Sequence, residues 1–324
     1  MLHCRVVNID EWLPNDDEWD HALQLVQPLE RNRIKKLHSR NVAKRTLVGR
    51  LLARYAIQSD LQIPNCKINL GRTPEGKPVL KNLKPPEQLE GSSGSPLLPT
   101  QRNGKPFEYA FNISHHGSWV ACASLRAPPS VAAAERVVPL VGVDIVKYEF
   151  RRDFPTCEDF FESLRFEFTE EEWNFINAMP QDEELDEATA AASSTQKVAE
   201  SDTDDFIRLQ RMYRRWAVKE AYTKALGQGL DFGFQRVESI ETSADSFRPQ
   251  IRVDGEDSNA AWTLLSVALD RLHRVVVCHN FAKQELVHPP NRAVTNVRCS
   301  LLLNALGLPT GRAFPSTPLE KFRR

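Results

Sequence analysis

Apolar residues with helical spacing predict a long helix over residues 205–226. Leu209, Tyr213 and Trp216 are separated by four and then three positions, so they share one face of a helix. Gly227 follows at the position where many helices end in a left-handed residue. We therefore predict a helix that buries one apolar stripe and ends at this glycine.

The same patterns predict a mixture of helices and strands along the rest of the chain. Further helices are expected at 18–26, at 30–55 and from 168 onwards, where Thr169 and Glu172 have the spacing of a capping box. Short apolar or alternating runs predict a hairpin over 107–125 and strands at 3–10, 66–70, 137–146, 232–240, 250–253, 262–268 and 274–280. This order of elements is typical of an α+β protein.

Two stretches interrupt the periodic patterns. Residues 84–104 are rich in Pro, Gly and Ser, and residues 181–201 are acidic and then rich in Ala, Ser and Thr, so we predict flexible insertions at both places. We place an N-terminal subdomain at 1–136, a C-terminal subdomain at 137–284 and a loosely packed tail at 285–324.

Composition limits the classes of partner and compartment. The 324 residues carry a formal net charge of −1, so a basic binding site must be local, and we expect no nucleic-acid partner. The six cysteines are scattered without a CxxC pair, which argues against a zinc site or a disulfide framework. No apolar run reaches membrane-spanning length, and no signal-peptide pattern opens the chain. We expect a cytoplasmic protein with no membrane association.

Two carboxylates stand where carboxylates are uncommon. Glu220 continues the apolar stripe of the predicted helix over 205–226, and Asp144 interrupts the apolar strand over 137–146. A carboxylate in apolar surroundings needs a cation or a metal, because burying it unpaired costs much free energy. An ordinary surface pair with Lys224, four residues further on, remains an alternative for Glu220. A strand-end cap or turn remains one for Asp144.

Cations are concentrated in two other places. Basic residues, Arg33 among them, alternate with apolar ones along 30–55, which fits either a solvated helix face or a patch that attracts phosphate. The Pro- and Gly-rich loop over 71–80 displays Arg72 and Lys77, which fits either a plain hairpin turn or a rigid anion-binding loop.

Polar side chains also crowd the turn of the predicted hairpin, at Asn112, Ser114, His115 and His116, although turn chemistry alone could account for them. Two carboxylates, with water and phosphate oxygens, are a usual way to hold Mg²⁺. Together with the cations they describe a site for a polyphosphate or pyrophosphate ligand and a metal. The chain has no P-loop, dinucleotide-binding, protein-kinase or nucleophile-elbow motif.

Five motifs, in this order, resemble those of the 4′-phosphopantetheinyl transferases. They are Gly-Arg-Thr-x-x-Gly-Lys-Pro (71–78), Phe-Asn-Ile-Ser-His (111–115), Val-Gly-Val-Asp-Ile (141–145), Phe-Thr-x-x-Glu (168–172) and Trp-Ala-Val-Lys-Glu-Ala-Tyr-x-Lys-Ala-x-Gly (216–227). The resemblance extends from Trp12 to Cys278 and is greatest to the larger, monomeric, two-subdomain class, in particular to its broad-specificity eukaryotic members.

The resemblance implies an enzyme that transfers the phosphopantetheine arm of coenzyme A to a serine of an acyl or peptidyl carrier domain and releases adenosine 3′,5′-bisphosphate. It implies an α+β (α/β-type) fold of two similar subdomains, with coenzyme A in the cleft between them. The implied acceptors are carrier domains of fatty acid synthase, polyketide or peptide synthetases, or aminoadipate reductase.

The resemblance also implies roles for individual residues. Asp144 and Glu220 match the family's Mg²⁺ ligands, and Glu220, or a water at the metal near it, would deprotonate the acceptor serine. Lys224 would hold the pyrophosphate and offset its developing charge. Contacts to coenzyme A are implied for Arg33, Arg72, Thr73, Lys77, Asn112, Ser114, His115, Asp144 and Lys224.

The motifs leave the third protein ligand of the metal open. Bacterial members of this class carry a carboxylate two residues after the aspartate, where this chain has Val146, so His116 or a water must compensate. Two rival hypotheses also stand beside the transferase. A protein that binds coenzyme A or carrier domains without turnover would be expected to lose the catalytic carboxylate or lysine. A hydrolase built on Ser114, His115 and Asp144 would be expected to show a nucleophile elbow.

Overall fold

The computed structural model describes residues 1–74, 76–81, 109–126, 139–151, 153–179, 200–240, 248–281 and 294–307. The predicted insertion at 84–104 and residues 181–199 of the second insertion lie outside these ranges. No helix within the described ranges is long and apolar enough to cross a membrane.

Helices and strands are mixed along the chain, as the sequence patterns predict. The helices are α1 (Asp16–Gln24), α2 (Pro28–Lys35), α3 (Arg40–Leu61), α4 (Cys157–Leu164), α5 (Glu170–Ile176), α6 (Glu200–Leu226) and α7 (Cys299–Ala305). The strands are β1 (Leu2–Asn8), β2 (Leu70–Arg72), β3 (Pro78–Leu80), β4 (Tyr109–His116), β5 (Trp119–Arg126), β6 (Val141–Lys147), β7 (Val237–Ile240), β8 (Gln250–Val253), β9 (Glu256–Asp257), β10 (Thr263–Ala268), β11 (His273–His279) and β12 (Val294–Asn296). This composition confirms the α+β prediction.

Two sheets, each packed against one long helix, form the body of the protein. The first sheet has the strand order β12-β1-β5-β4 and packs against α3, and the second has the order β10-β11-β6 and packs against α6. Two smaller sheets are formed by β2-β3 and β7-β8-β9. Both long helices thus cover the outer face of a sheet, which gives the two halves of the chain a similar layout.

Strand alternation sends side chains into three apolar cores. In β5, Val120 and Cys122 join the core beneath α3, whereas Ala121 and Ala123 join a central core. In β6, Val143 joins that central core too, together with residues of β11. The inner faces of the two sheets therefore share one core, and successive residues of a strand point to opposite faces. The third core lies on the α6 side of the second sheet.

The basic stretch over 30–55 is not one helix. It divides into α2 and α3, and the side chain of Ser39 caps α3 by accepting a hydrogen bond from the N–H of Val42 at 3.5 Å. A serine that satisfies a free N–H group at a helix start favours such a break. The division lets Arg33 of α2 and Arg50 of α3 line the same cavity.

Residues 294–307 do not form the loosely packed tail that we predicted from 285 onwards. β12 pairs in parallel with β1, and Val6 accepts a hydrogen bond from the N–H of Val297 at 2.8 Å. In α7, Leu302 and Leu303 are buried in the core beneath α3. The apolar side chains of α7 explain this packing, because burying them in the core beneath α3 removes apolar surface from water. Residues 285–293 and 308–324 lie outside the described ranges.

At Gly142 the backbones of β6 and α6 approach closely. A Cβ atom added there would lie 1.9 Å from the carbonyl oxygen of Ala221 and 2.5 Å from the amide nitrogen of Ala225. We expect Gly142→Ala to lower the free energy of unfolding by about 1–3 kcal/mol, because backbone atoms must shift to relieve this overlap. Urea denaturation would measure the change.

Gly49, within α3, is the matched control for this substitution. A Cβ atom there would meet side-chain carbons of Ile113 and Val120 at 3.4 and 3.7 Å, which is ordinary packing distance. Gly49→Ala is expected to keep or slightly raise the stability, since alanine favours a helix more than glycine does. A Gly142→Ala protein as stable as the Gly49→Ala protein would contradict the close approach.

Candidate active site

The three residues that the helix and strand motifs single out meet at one point. Asp144 lies on β6, and Glu220 and Lys224 lie one turn apart on α6, which packs on that strand. Nζ of Lys224 is 2.5 Å from Oδ1 of Asp144 and 3.3 Å from Oε2 of Glu220. The surface pair that we kept as an alternative for Glu220 is therefore one part of a three-membered, partly buried cluster.

Burial and neighbouring charges shift the pKa values in this cluster. Burial raises the pKa of Glu220, the negative charge of Asp144 raises it further, and Lys224 only partly opposes this. Burial acts to lower the pKa of Lys224, but the two carboxylates outweigh it, so this pKa is raised. Lys224 is thus held as a cation, and Glu220 accepts a proton more readily than an ordinary glutamate.

A cavity of about 340 Å³ opens over this cluster. Residues from β4, β6 and α6 line it, namely Ile113, Ser114, His115, His116, Asp144, Ile145, Val146, Tyr213, Trp216, Glu220 and Lys224. The structure therefore brings five predicted site residues to one cavity: Ser114, His115, Asp144, Glu220 and Lys224. Tyr213 and Trp216, which we predicted only as parts of an apolar stripe, form part of its wall.

Side chains of β4 connect the two sheets at this cavity. The N–H groups of Val143, Ile145 and Lys147 on β6 donate hydrogen bonds to Oδ1 of Asn112 (3.0 Å), Oγ of Ser114 (3.2 Å) and Nδ1 of His116 (3.2 Å), respectively. We call Asn112, Ser114 and His116, with their three partners, the β4–β6 seam. The seam satisfies N–H groups along an edge of the second sheet that would otherwise lack partners.

Both nitrogens of the His116 ring face a partner, one in the seam and one outside it. Nδ1 accepts from the N–H of Lys147, so the neutral ring carries its proton on Nε2, which lies 3.5 Å from Oε1 of Glu149. Burial lowers the pKa of His116. A ring held in this way has no nitrogen lone pair left for a metal, so His116 does not fit as the third ligand.

The neighbouring His115 feels the charges of cations on both long helices. Burial lowers its pKa, and Arg45 and Arg50 of α3 lower it further, as does Lys224 of α6. Positive charge from both helices favours a neutral ring and suits an anion near His115.

A second cavity, of about 480 Å³, is lined by both arginines for which contacts to coenzyme A are predicted. Arg33 of α2 and Arg72 of β2 line it together with Arg50 of α3. Burial lowers the pKa of Arg50, Glu30 opposes this, and the nearby charges of Arg72 and Arg33 lower it further. The three guanidinium groups outnumber the one carboxylate, Glu30, that lines the same cavity and pairs with Arg50 at 3.2 Å, so the cavity favours an anion. Arg50 had no sequence signal that distinguished it from the other basic residues of α3.

Polar groups of the loop between β2 and β3 form hydrogen bonds within the protein. Nζ of Lys77 donates to the carbonyl oxygen of Ala225 at 2.6 Å, and burial lowers the pKa of Lys77 to about 8. Oγ1 of Thr73 accepts from the N–H of Lys77 at 3.2 Å, while Asn112 is buried in the seam. Contacts of Thr73, Lys77 and Asn112 with coenzyme A remain predictions.

Asp144 and Glu220 are suitable donors for a divalent cation. Both carboxylates already contact one cation, the ammonium group of Lys224, and hard oxygen donors are those that Mg²⁺ prefers. Within the described ranges, no three His, Cys, Asp or Glu side chains form a group that could hold a metal. The chemistry of the two carboxylates fits Mg²⁺ if water and phosphate oxygens supply the other ligands.

Comparison with known proteins identifies the class that this fold and site define. A family profile described as "4'-phosphopantetheinyl transferase, N-terminal" matches residues 10–93, and one described as "4'-phosphopantetheinyl transferase superfamily" matches residues 140–278. The second match contains β6, α6 and the three charged residues of the cluster.

Individual relatives agree with the family match. The L-aminoadipate-semialdehyde dehydrogenase-phosphopantetheinyl transferase of Xenopus laevis is 32% identical over 276 residues, which cover 82% of this chain and 72% of the relative. The human protein of the same name is 30% identical over 274 residues, 82% of this chain and 71% of its own length. The 4'-phosphopantetheinyl transferase Sfp of Bacillus subtilis is 23% identical over 270 residues, with 82% and 86% covered. The chain therefore belongs to the 4′-phosphopantetheinyl transferase family, which confirms the resemblance and its transferase class.

Proposed function

We propose that this protein transfers phosphopantetheine from coenzyme A to a serine of a carrier domain, with Mg²⁺ held by Asp144 and Glu220. The observation that carries the proposal is the convergence of these two carboxylates with Lys224 in one cavity. The names of the relatives supply the reaction class.

The two cavities suit the two anionic parts of coenzyme A. Its pyrophosphate would lie by Lys224, and its separate 3′-phosphate would lie among Arg33, Arg50 and Arg72. His115, whose pKa reflects cations of α3 and α6 alike, would lie between them. Guanidinium groups form strong, charge-assisted hydrogen bonds with phosphate oxygens, which suits the arginine-lined cavity to a phosphate group.

The proposed reaction is a displacement at phosphorus. Oγ of the acceptor serine forms a bond to the phosphorus that carries pantetheine, and the bond from that phosphorus to the leaving bisphosphate breaks. The serine proton passes to Glu220, which lines the cavity and whose pKa is raised by burial, so that it accepts a proton more readily than an ordinary glutamate. Lys224 donates hydrogen bonds to the pyrophosphate and offsets the charge that develops on the leaving group.

When bound, Mg²⁺ would supply charge neutralisation at the pyrophosphate oxygens. The binding-only alternative is not favoured, because both the carboxylate and the lysine of the proposed chemistry are present in the cavity. The hydrolase alternative is not favoured either, because Oγ of Ser114 donates to Asp144 at 2.9 Å instead of to a histidine.

The names of the vertebrate relatives favour aminoadipate-semialdehyde dehydrogenase, that is, aminoadipate reductase, among the acceptors. We propose that carrier domains of fatty acid synthase and of polyketide or peptide synthetases are further acceptors, and that the protein acts as a cytoplasmic monomer. Size-exclusion chromatography with light scattering would test the oligomeric state.

Intact-mass analysis of a carrier domain tests the proposed function. The full chain, coenzyme A and Mg²⁺ are mixed with apo carrier domains from a fatty acid synthase, a peptide synthetase and an aminoadipate reductase. We expect each loaded carrier to gain one phosphopantetheine group. We expect an excess of EDTA to stop the gain, because without the metal the negative charges of Asp144 and Glu220 would repel the pyrophosphate. No gain on any carrier would contradict the transferase proposal. An equal gain in EDTA would contradict the role of the metal.

A further inference from the structure

The seam has one member that also reaches the cluster of charged residues. Asn112 and His116 accept hydrogen bonds from β6, and neither of them is hydrogen-bonded to Asp144 within the described ranges. Ser114 accepts from the N–H of Ile145 and also donates to Oδ1 of Asp144 at 2.9 Å. It is 7% exposed, so little of it is open to solvent.

The hydrogen bonds of Ser114 leave its hydroxyl group one orientation. A hydroxyl has one proton and two lone pairs. The N–H of Ile145 donates to one lone pair at 3.2 Å, and Nζ of Lys224 is close to the other at 3.4 Å. Neither partner can accept the proton, so it is directed to Asp144. A hydroxyl whose proton and lone pairs are all used has nothing left to donate to a phosphate oxygen.

The bonds to Asp144 fall on one oxygen of its carboxylate. Ser114 and Lys224 both bind Oδ1, at 2.9 and 2.5 Å. Oδ2 accepts no hydrogen bond from the described part of the chain, although Asp144 lines the cavity. A carboxylate that is held at one oxygen and free at the other offers the free oxygen to a cation.

We propose that Ser114 is a positioning residue for Asp144, which it orients so that Oδ2 remains available to the divalent cation. This inference rests on the proposed function, and it replaces the coenzyme A contact that the motif predicts for Ser114. Residues that hydrogen-bond to a metal-ligating carboxylate or histidine set its orientation, and their loss typically weakens metal binding about 10- to 100-fold.

Metal titration of three variants tests the proposal. Mn²⁺, whose free form is counted by electron paramagnetic resonance, is titrated into the full chain with coenzyme A present and carrier absent. Ser114→Ala is expected to raise the dissociation constant for Mn²⁺ about 10-fold, because Asp144 loses its neutral donor. Ser114→Thr keeps the hydroxyl and is expected to restore most of the affinity.

His116→Ala is the matched control, because it removes a seam hydrogen bond and His116 is not hydrogen-bonded to Asp144 within the described ranges. Its melting temperature is expected to fall as that of Ser114→Ala does, while its Mn²⁺ affinity stays that of the parent chain. In steady-state assays, Ser114→Ala is expected to need more Mg²⁺ for half-maximal rate and to keep the KM for coenzyme A at saturating Mg²⁺.

Three outcomes would overturn the proposal. One is a Ser114→Ala protein with the parent Mn²⁺ affinity and a raised KM for coenzyme A, which would make Ser114 a ligand contact. Another is an equal loss of Mn²⁺ affinity in His116→Ala, which would make the effect a general property of the seam. The third is a parent chain that binds no Mn²⁺. Because the titration needs no turnover, failure of the parent to load carriers would count against the proposed function separately.

Discussion

Replacing Glu220 with glutamine is expected to lower kcat for carrier loading by about 10³-fold, within the range that a general base contributes. The substitution keeps the size of the side chain but removes the carboxylate that we propose as base and metal ligand. It also removes one of the two carboxylates that hold Lys224 as a cation, at 3.3 Å from its Nζ. The decrease should appear in kcat, because these interactions act on the reacting atoms more than on the binding of coenzyme A.

The rate would be followed by the intact mass of the carrier over time, at saturating coenzyme A and Mg²⁺. Glu256→Gln is a suitable control, since Glu256 is exposed on β9, far in sequence from the motifs, and its loss should leave the rate unchanged. A Glu220→Gln protein with the parent rate would contradict our assignment of the site, although membership of the family would stand.

Loss of the buried ion pair between Glu172 and Lys219 is expected to have the largest effect on stability. Oε2 of Glu172 lies 2.6 Å from Nζ of Lys219, and their side chains are 1% and 0% exposed. Glu172→Gln would leave the Lys219 ammonium in the protein interior without its counter-charge. We expect the free energy of unfolding to fall by about 3–5 kcal/mol, as measured when one partner of a buried pair is removed.

Guanidinium chloride denaturation would measure this loss, and two further variants make the test specific. The double variant Glu172→Gln/Lys219→Met removes both charges and should recover part of the stability, because an apolar replacement of a buried pair is often nearly neutral. Asp153→Asn breaks an ion pair with Arg151 whose side chains are 63% and 58% exposed, and it should leave the stability nearly unchanged. If the three variants were equally stable, the ion pair between Glu172 and Lys219 would contribute nothing to the free energy of unfolding.

This pair also shows what a motif can conceal. From the sequence, Glu172 had a complete explanation as the end of a capping box with Thr169, and the structure confirms that box. The same carboxylate also accepts from the N–H of Ser239 at 2.8 Å and pairs with Lys219. Lys219 directly precedes Glu220 on α6. Because Lys219 is anchored in the core, the rotation of α6 about its axis is fixed, and with it the direction in which Glu220 faces the cavity. No local pattern reveals this second use of Glu172.

Loop and turn residues were hardest to place from the sequence. The motif over 71–78 places Arg72 and Lys77 together in one possible anion-binding loop. In the structure, Arg72 lines the cavity shared with Arg33 and Arg50, whereas Lys77 donates a hydrogen bond to the end of α6. The motif over 111–115 likewise groups Asn112 with His115. These residues are three positions apart on β4, and residues an odd number of positions apart on a strand point to opposite faces. Asn112 is buried in the seam, and His115 lies at the cavity.

The sequence by itself determined the features that depend on local spacing. Helical and strand periodicities identified α6 and β6, and each of them carries an uncommon carboxylate, Glu220 and Asp144 respectively. The order of five motifs indicated the family. Such signals survive in one sequence because a residue's fit to a helix or a strand depends on its near neighbours.

The motifs already grouped Asp144, Glu220 and Lys224, but only the tertiary structure decided the contacts within the site. It places Lys224 against Asp144, 80 positions away, adds Arg50 to the cavity lined by Arg33 and Arg72, and packs residues 294–307 against β1 and α3. It also gives each nitrogen of His116 a partner and directs the proton of Ser114 to Asp144. The contacts of His116 and Ser114 arise where the edges of two sheets meet, and that meeting depends on packing energies summed over distant parts of the chain, which no short stretch encodes.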